Sequence, residues 1–258
     1  MTTDDTITAL REQGFKTTCS VDNPVSGGIV YARGRANLVK LSTVDIPVYA
    51  IVPVEWRALL LEDPNHNVAA LPRNVTVQES ENPLMDWVTI HNEVHAGAQE
   101  PDNRVSVFAD IHPTAVIGAD GARYIEDEHG LIPVKHVGNV VIEDDVHVGA
   151  NTVVHRALLD STVIREDTKI GSLCNVGHNV EIGQHCVLTA AVVIGGSCRI
   201  GDWCWFGTGS VVKNGVSITD RVKLGASTLV VRDITEPGVY VGNPARFLKE
   251  WNHDYASA

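Results

Sequence analysis

The sequence predicts a mainly β protein, a parallel β-helix of hexapeptide repeats carried behind a small N-terminal α/β domain. Three observations predict it. An apolar residue returns every six positions across residues 164–230. A small or β-branched residue stands four places after each of these stops. Only 5% of the residues are aromatic while glycine reaches 22, so the core is built from aliphatic and small side chains.

The period is read directly. The stops are Ile164, Ile170, Val176, Ile182, Leu188, Ile194, Ile200, Phe206, Val212, Ile218, Leu224 and Val230. Gly follows the stop at 171, 177, 183, 195, 201, 207 and 225. Each unit makes a short strand and a turn, and three units close one triangular coil of about 18 residues, so that neighbouring coils pair through their backbones. Upstream, Val105, Ile111 and Ile117 fit one run of the same register, and Ile142, Val148 and Val154 another. The excursion 120–140 lacks the repeat and reads as a loop thrown out of the coil. A second slip lies between Val154 and Leu158.

The domains follow. Residues 1–96 form a small α/β domain. Asp4 or Asp5 caps a short helix ended by Gly14, Gly28–Ala32 and Pro47–Val52 are strands, and Asn82-Pro83 opens a helix through Leu84, Trp87, Val88, His91 and Val94. Residues 97–104 are a linker, 105–235 the β-helix, and 236–258 a C-terminal tail.

Lys plus Arg number 20 against 32 Asp plus Glu, a net charge of −12. That balance repels phosphate backbones and argues against nucleic-acid binding. The N-terminus is acidic where a signal peptide is basic. The longest apolar stretch, Ile46 to Val54, is broken by Pro47 and Pro53 and is too short for a bilayer. A cytoplasmic location without a membrane span is expected. Five cysteines make no disulfide scaffold, and Cys174, Cys186, Cys198 and Cys204 fall on the small inward position, as core residues rather than zinc ligands. His91 and His95 are four apart on the expected helix, but no third ligand accompanies them, so no metal site is assigned.

His178 stands two places after Val176, on an outward corner. Counting by coils, Asp160, His178, Gly196 and Asn214 stack along one edge. A general base beside a glycine with an accessible N–H is what acyl transfer needs, and glycine lets a ligand approach the backbone.

These motifs carry a resemblance. Gly118-Ala119-Asp120-Gly121, Tyr124, Ile132-Pro133, Gly149-Ala150-Asn151-Thr152, Arg156-Ala157-Leu158-Leu159-Asp160, His178-Asn179-Val180-Glu181-Ile182-Gly183 and Ile234-Thr235-Glu236-Pro237-Gly238-Val239-Tyr240 resemble the UDP-3-O-acylglucosamine N-acyltransferases of lipid A synthesis, a branch of the left-handed β-helix acyltransferases. The resemblance implies a left-handed coil, a nucleotide-binding-like role for residues 1–96 as a shortened form of that family's N-terminal domain, a homotrimer with sites in the grooves between subunits, His178 as general base and the Gly196 N–H as oxyanion donor. Three features depart from that family. A further family histidine falls on Gly215, Ala122-Arg123 replace Phe-Gly, and the tail is short. Gly242-Asn243-Pro244-Ala245-Arg246 in turn resembles the ending of CoA-dependent hexapeptide sugar acetyltransferases.

The expected function is therefore N-acyl transfer to the amine of a nucleotide-activated amino sugar, with acyl-CoA as favoured co-substrate and no bound cofactor. Asp120, Tyr124, Asp160 and Asn179 are expected to hold the sugar, and Gly195, Gly207, Lys213, Asn214 and Arg246 the donor. The alternatives are the lipid A enzyme itself with an acyl carrier protein donor, a β-helix carbonic anhydrase, and a non-catalytic scaffold.

Overall fold

The computed structural model describes residues 3–54, 75–97 and 102–251, apart from 16, 21, 23, 33–36, 38, 39 and 42. The chain divides into two compact units, Met1–Gln99 with Arg123–Lys135, and Glu100–Ala122 with His136–Ala258.

The first unit holds helix α1 (Thr3–Glu12), strands β1 (Thr17–Thr18), β2 (Gly28–Tyr31), β3 (Val48–Pro53) and β4 (Val75–Ser80), and helix α2 (Pro83–Val94). The strands form one parallel sheet in chain order. Its central strands are nearly continuous runs of buried Ile, Val and Ala, the pattern of strands covered on both faces. Asp4 and Asp5 lie inside α1 rather than ahead of it. Gly14, at φ 91°, follows the end of α1. Asn82 caps α2 as expected, its side chain accepting from Met85 N–H at 3.2 Å. Helix α2 buries Trp87, Val88, Ile90 and His91.

The excursion expected as a loop is instead an antiparallel hairpin, Tyr124–Asp127 with Gly130–Pro133, and most of it belongs to the first unit. Asn92 fixes it by donating to the Pro133 carbonyl at 2.9 Å and accepting from Lys135 N–H at 3.1 Å. Of the expected linker, residues 98–101 lie outside the described residues, and Arg104–Val105 is already a strand of the β-helix. Residues 252–258 of the tail also lie outside them.

The second unit is the parallel β-helix. Its strands stack into three faces. The first contains Glu181–Ile182 and Arg199–Ile200, the second Val187–Leu188 and Trp205–Phe206, and the third Asn175–Val176 and Val193–Ile194. All twelve stops are inside, none more than 5% exposed. Cys174, Cys186, Cys198 and Cys204 share that interior as free thiols. Burial pushes the Cys174 and Cys198 thiols up, and proximity to Cys186 does the same for Cys204. The interior is close-packed because each six-residue step sends one large and one small side chain inward.

Between Asp145 and Ser227 each regular turn places the third residue after the stop in the left-handed region, with φ from 55° to 61° at the non-glycine positions. That conformation costs roughly 1–2 kcal/mol per residue outside glycine. It is offset by a ladder along the corner, in which Ala191 N–H donates to Ser172 O, Ser197 N–H to His178 O and Gly215 N–H to Gly196 O.

The expected slip after Val154 is a four-residue insertion. Val141 pairs with Val163, 22 positions on, whereas Val163 pairs with Glu181, 18 positions on. At the far end, Gly238–Val241 and Arg246–Lys249 pair antiparallel and extend the second face. Lys223 Nζ sits between the rings of Trp205 and Trp251, at 5.7 and 5.8 Å from their centroids. No helix among the described residues is long and apolar enough to cross a membrane.

Candidate functional site

The corner that follows the third face gathers the chemistry. His178 and Gly196 both stand two places after a third-face stop, one coil apart, so the repeat itself brings them together. A Cβ built on Gly196 would lie 2.6 Å from His178 Nε2. The imidazole therefore covers the Gly196 backbone, a placement that glycine alone accommodates without moving the ring. The Gly196 N–H donates to no acceptor among the described residues.

Asn179 decides the tautomer. Its Oδ1 accepts from Leu158 N–H at 2.9 Å, and its Nδ2 donates to the Leu159 carbonyl at 2.7 Å. Those two backbone groups fix the amide's orientation. His178 Nδ1 lies 3.0 Å from the same Oδ1, so Nδ1 carries the proton and Nε2, over Gly196, holds the lone pair. Asn179 can do this because it occupies the left-handed turn position at φ 59°, a conformation asparagine tolerates better than most residues.

His136 joins them. It is buried, and its ring stands edge-on to His178, with centroids 5.4 Å apart and planes at 70°. A Cβ on Gly121 would lie 2.6 Å from His136 Nε2 and 3.0 Å from His178 Cδ2. Sequence reasoning missed both residues because they flank the excursion, where the repeat gives no register. The glycine of the Asp120-Gly121 pair was the available signal. Near it, buried Arg156 donates from Nε to Gly118 O at 2.6 Å and lies 3.4 Å from Asp120 Oδ1. His155 Nδ1 donates to Asp120 O at 2.9 Å. Asp120 is thus tied on both its side chain and its carbonyl.

Asp160 precedes His178 by 18 positions, the spacing at which Val163 pairs with Glu181 on the strands that follow. At φ 65° Asp160 is in the left-handed region, it is exposed, and its carbonyl accepts from Asn139 N–H. Gly207 does not share an edge with Gly195. It follows a second-face strand and Gly195 a third-face one, since two hexads carry the chain past two corners of the triangle. Asn214 does rise above Gly196, and its Oδ1 fills the space where a Gly195 Cβ would be. Lys213 and Arg246 are exposed, Arg246 in the terminal antiparallel strand. Tyr124 is exposed in the hairpin of the first unit.

Further described histidines are engaged elsewhere. His91 Nε2 donates to Lys135 O at 2.7 Å, so its Nδ1 accepts from Thr18 Oγ1 at 2.6 Å, and Thr18 in turn accepts from His95 Nε2 at 3.0 Å. Both nitrogens of His91 are therefore used within the fold. His147 pairs with Asp110, and His185 with Asp167 at a different corner.

Comparison with known proteins agrees with the repeat. The sequence model described as "Bacterial transferase hexapeptide (six repeats)" matches residues 161–196, and "Hexapeptide repeat of succinyl-transferase" matches residues 198–231. The UDP-3-O-acylglucosamine N-acyltransferase of Delftia acidovorans is 40% identical over 131 residues, 51% of this chain and 39% of that protein. A probable UDP-3-O-acylglucosamine N-acyltransferase 2, mitochondrial, of Arabidopsis thaliana is 42% identical over 149 residues, 57% of this chain and 49% of that protein. The chain thus spans less than half the length of these two relatives. A crystal structure of UDP-N-acetylglucosamine acyltransferase superposes with a TM-score of 0.53 at 14% identity, covering 94% of this chain and 73% of that one, a likeness of fold. Taken together, the chain carries the hexapeptide repeats of bacterial transferases on a parallel β-helix, and its repeat region is similar to UDP-3-O-acylglucosamine N-acyltransferases.

Proposed function

We propose that the protein is an N-acyltransferase that moves an acyl group from a thioester to the amine of a UDP-linked glucosamine, the lipid A reaction. The observation that carries this reading is His178 Nε2, holding the lone pair, against the backbone of Gly196, whose N–H meets no acceptor among the described residues. In the proposed step the sugar nitrogen attacks the thioester carbonyl while His178 Nε2 takes its proton. The Gly196 N–H donates to the oxyanion of the tetrahedral intermediate. Collapse breaks the C–S bond, and the departing thiolate receives the proton from His178, leaving an amide and a free thiol.

The activity named for the relatives, N-acylation of UDP-3-O-acylglucosamine, supports the lipid A reaction over a general amino-sugar acetyltransferase. With that reaction we propose the alternative donor, a 3-hydroxyacyl chain on acyl carrier protein, in place of acyl-CoA. Neither donor is a resident cofactor. Asp120, fixed by Arg156 and His155 close to Gly121, is a candidate for the sugar, with Tyr124 and Asp160 as further candidates. Lys213, Asn214 and Arg246 are candidates for the donor's phosphates.

A homotrimer fits the distribution of outward side chains. The third face presents Val116, Val153, Asn175, Val193, Val211 and Leu229, with Val116 49% and Val193 38% exposed. The equivalent row carries Glu181, Arg199 and Ser217 beside Val141 and Val163 on the first face, and His147, Lys169 and Lys223 beside Val187 and Trp205 on the second. An apolar strip of that kind belongs against another copy, and His178 stands at its border.

The test is acyl transfer to UDP-3-O-acylglucosamine from matched acyl carrier protein and CoA thioesters. Transfer from the carrier protein, lowered about 10²–10⁴-fold in His178→Ala, is the expected result. Turnover by acyl-CoA alone returns the donor to the CoA reading, and no thioester consumption with any amino sugar ends the proposal.

A further inference from the structure

We infer that His136 is a positioning residue for His178, a role that rests on the acyl-transfer reading and deepens it. The chain leaves the β-helix just after Gly121 and returns at His136, so the two ends of the excursion meet at the ring of His178. His136 is only 2% exposed, and its ring abuts His178 edge-on at 5.4 Å. Gly121 closes the gap, since even a methyl group there would strike both rings.

Each side of the His178 ring is then accounted for. Asn179 holds Nδ1, Gly196 lies under Nε2, the Gly121 backbone lies against Cδ2, and His136 packs beside the ring. Asn179 alone leaves the ring free to swing about its single hydrogen bond. The neighbouring ring removes that freedom and keeps Nε2 against the Gly196 backbone.

The contact has a second consequence during turnover. When His178 accepts the amine proton it becomes a cation, and no carboxylate pairs with it among the described residues. Its partner at Nδ1 is a neutral amide. A ring face within about 6 Å attracts such a cation without a counter-charge, and the His136 centroid lies 5.4 Å from that of His178. His136 therefore sets an aromatic wall beside the base where the chain rejoins the coil.

The experiment compares His136→Ala, His136→Gln and His136→Phe with the wild type, in acyl transfer and in diethyl pyrocarbonate modification of His178 followed by mass spectrometry. His136→Ala is expected to lower kcat by about 10–100-fold, with KM for both substrates within about twofold of wild type. His136→Phe, which keeps a ring, is expected to recover most of the loss, and His136→Gln little of it. Modification of His178 is expected to run several-fold faster in His136→Ala than in wild type or His136→Phe. An unchanged kcat in a folded His136→Ala protein, a rise in KM alone, or a Phe variant no better than Ala overturns the assignment. If the wild type transfers no acyl group, the acyl-transfer reading fails by itself. The modification rates then still decide whether His136 orders the His178 ring, and equal rates in wild type and His136→Ala overturn it.

Discussion

The side-chain oxygen of Asn179 lies 3.0 Å from His178 Nδ1 and also accepts the Leu158 N–H. This pair determines which imidazole nitrogen is basic, and it does so through backbone groups of the inserted segment. Asn179→Ala removes the acceptor and the left-handed preference together. A loss of kcat of about 10–100-fold and of stability of about 1 kcal/mol is expected, measured by acyl-transfer kinetics and urea unfolding.

Gly196→Ala tests the close approach. The added methyl falls 2.6 Å from His178 Nε2, and the nearest obstacles are atoms of that ring, so the ring moves rather than the coil. A fall in kcat of about 10² with a nearly unchanged melting temperature is expected. A melting temperature that drops along with the activity contradicts this account.

Phe206→Ala probes the solenoid. Phe206 is wholly buried among the aliphatic stops of its neighbours, and the narrow prism cannot collapse around the gap without breaking the pairing of adjacent coils. The expected cost is about 3–5 kcal/mol, read by denaturant unfolding.

Val193→Glu places a charge in the middle of the apolar third face. The variant is expected to elute as a monomer while its far-ultraviolet spectrum is retained, measured by light scattering after size exclusion. A wild-type protein that is itself monomeric removes the homotrimer from the proposal.

The first unit carries a pH dependence. Burial, with Lys135 nearby, holds the His95 imidazolium below its ordinary value of 6.5. The unfolded chain binds that proton more readily, so folding is favoured above the unfolded value and loses this contribution as pH falls through the lower folded one. The groups around it, Thr18, His91 and Lys135, supply no negative charge. Protection factors of the α2 amides, taken against the intrinsic exchange rate at each pH, are expected to fall between pH 7 and pH 5 and to fall less in His95→Gln.

The solenoid was legible because its determinants are local. Six-residue spacing alone assigns Ile164 through Val230 to the interior and brings His178 within reach of Gly196, since stacking positions in a regular coil follow from counting. Counting fails wherever the coil is interrupted. The insertion after Val154 sets Val141 opposite Val163 at 22 positions, where the later coils pair at 18. His136 is 42 positions from His178 in the chain, and their contact depends on how a hairpin departs and returns, which no periodicity encodes. Composition and period therefore determined the prism and the edge on which the base sits. Closure of the excursion decided what surrounds that base, because a contact across an inserted loop is set by packing against distant backbone and not by neighbours in sequence.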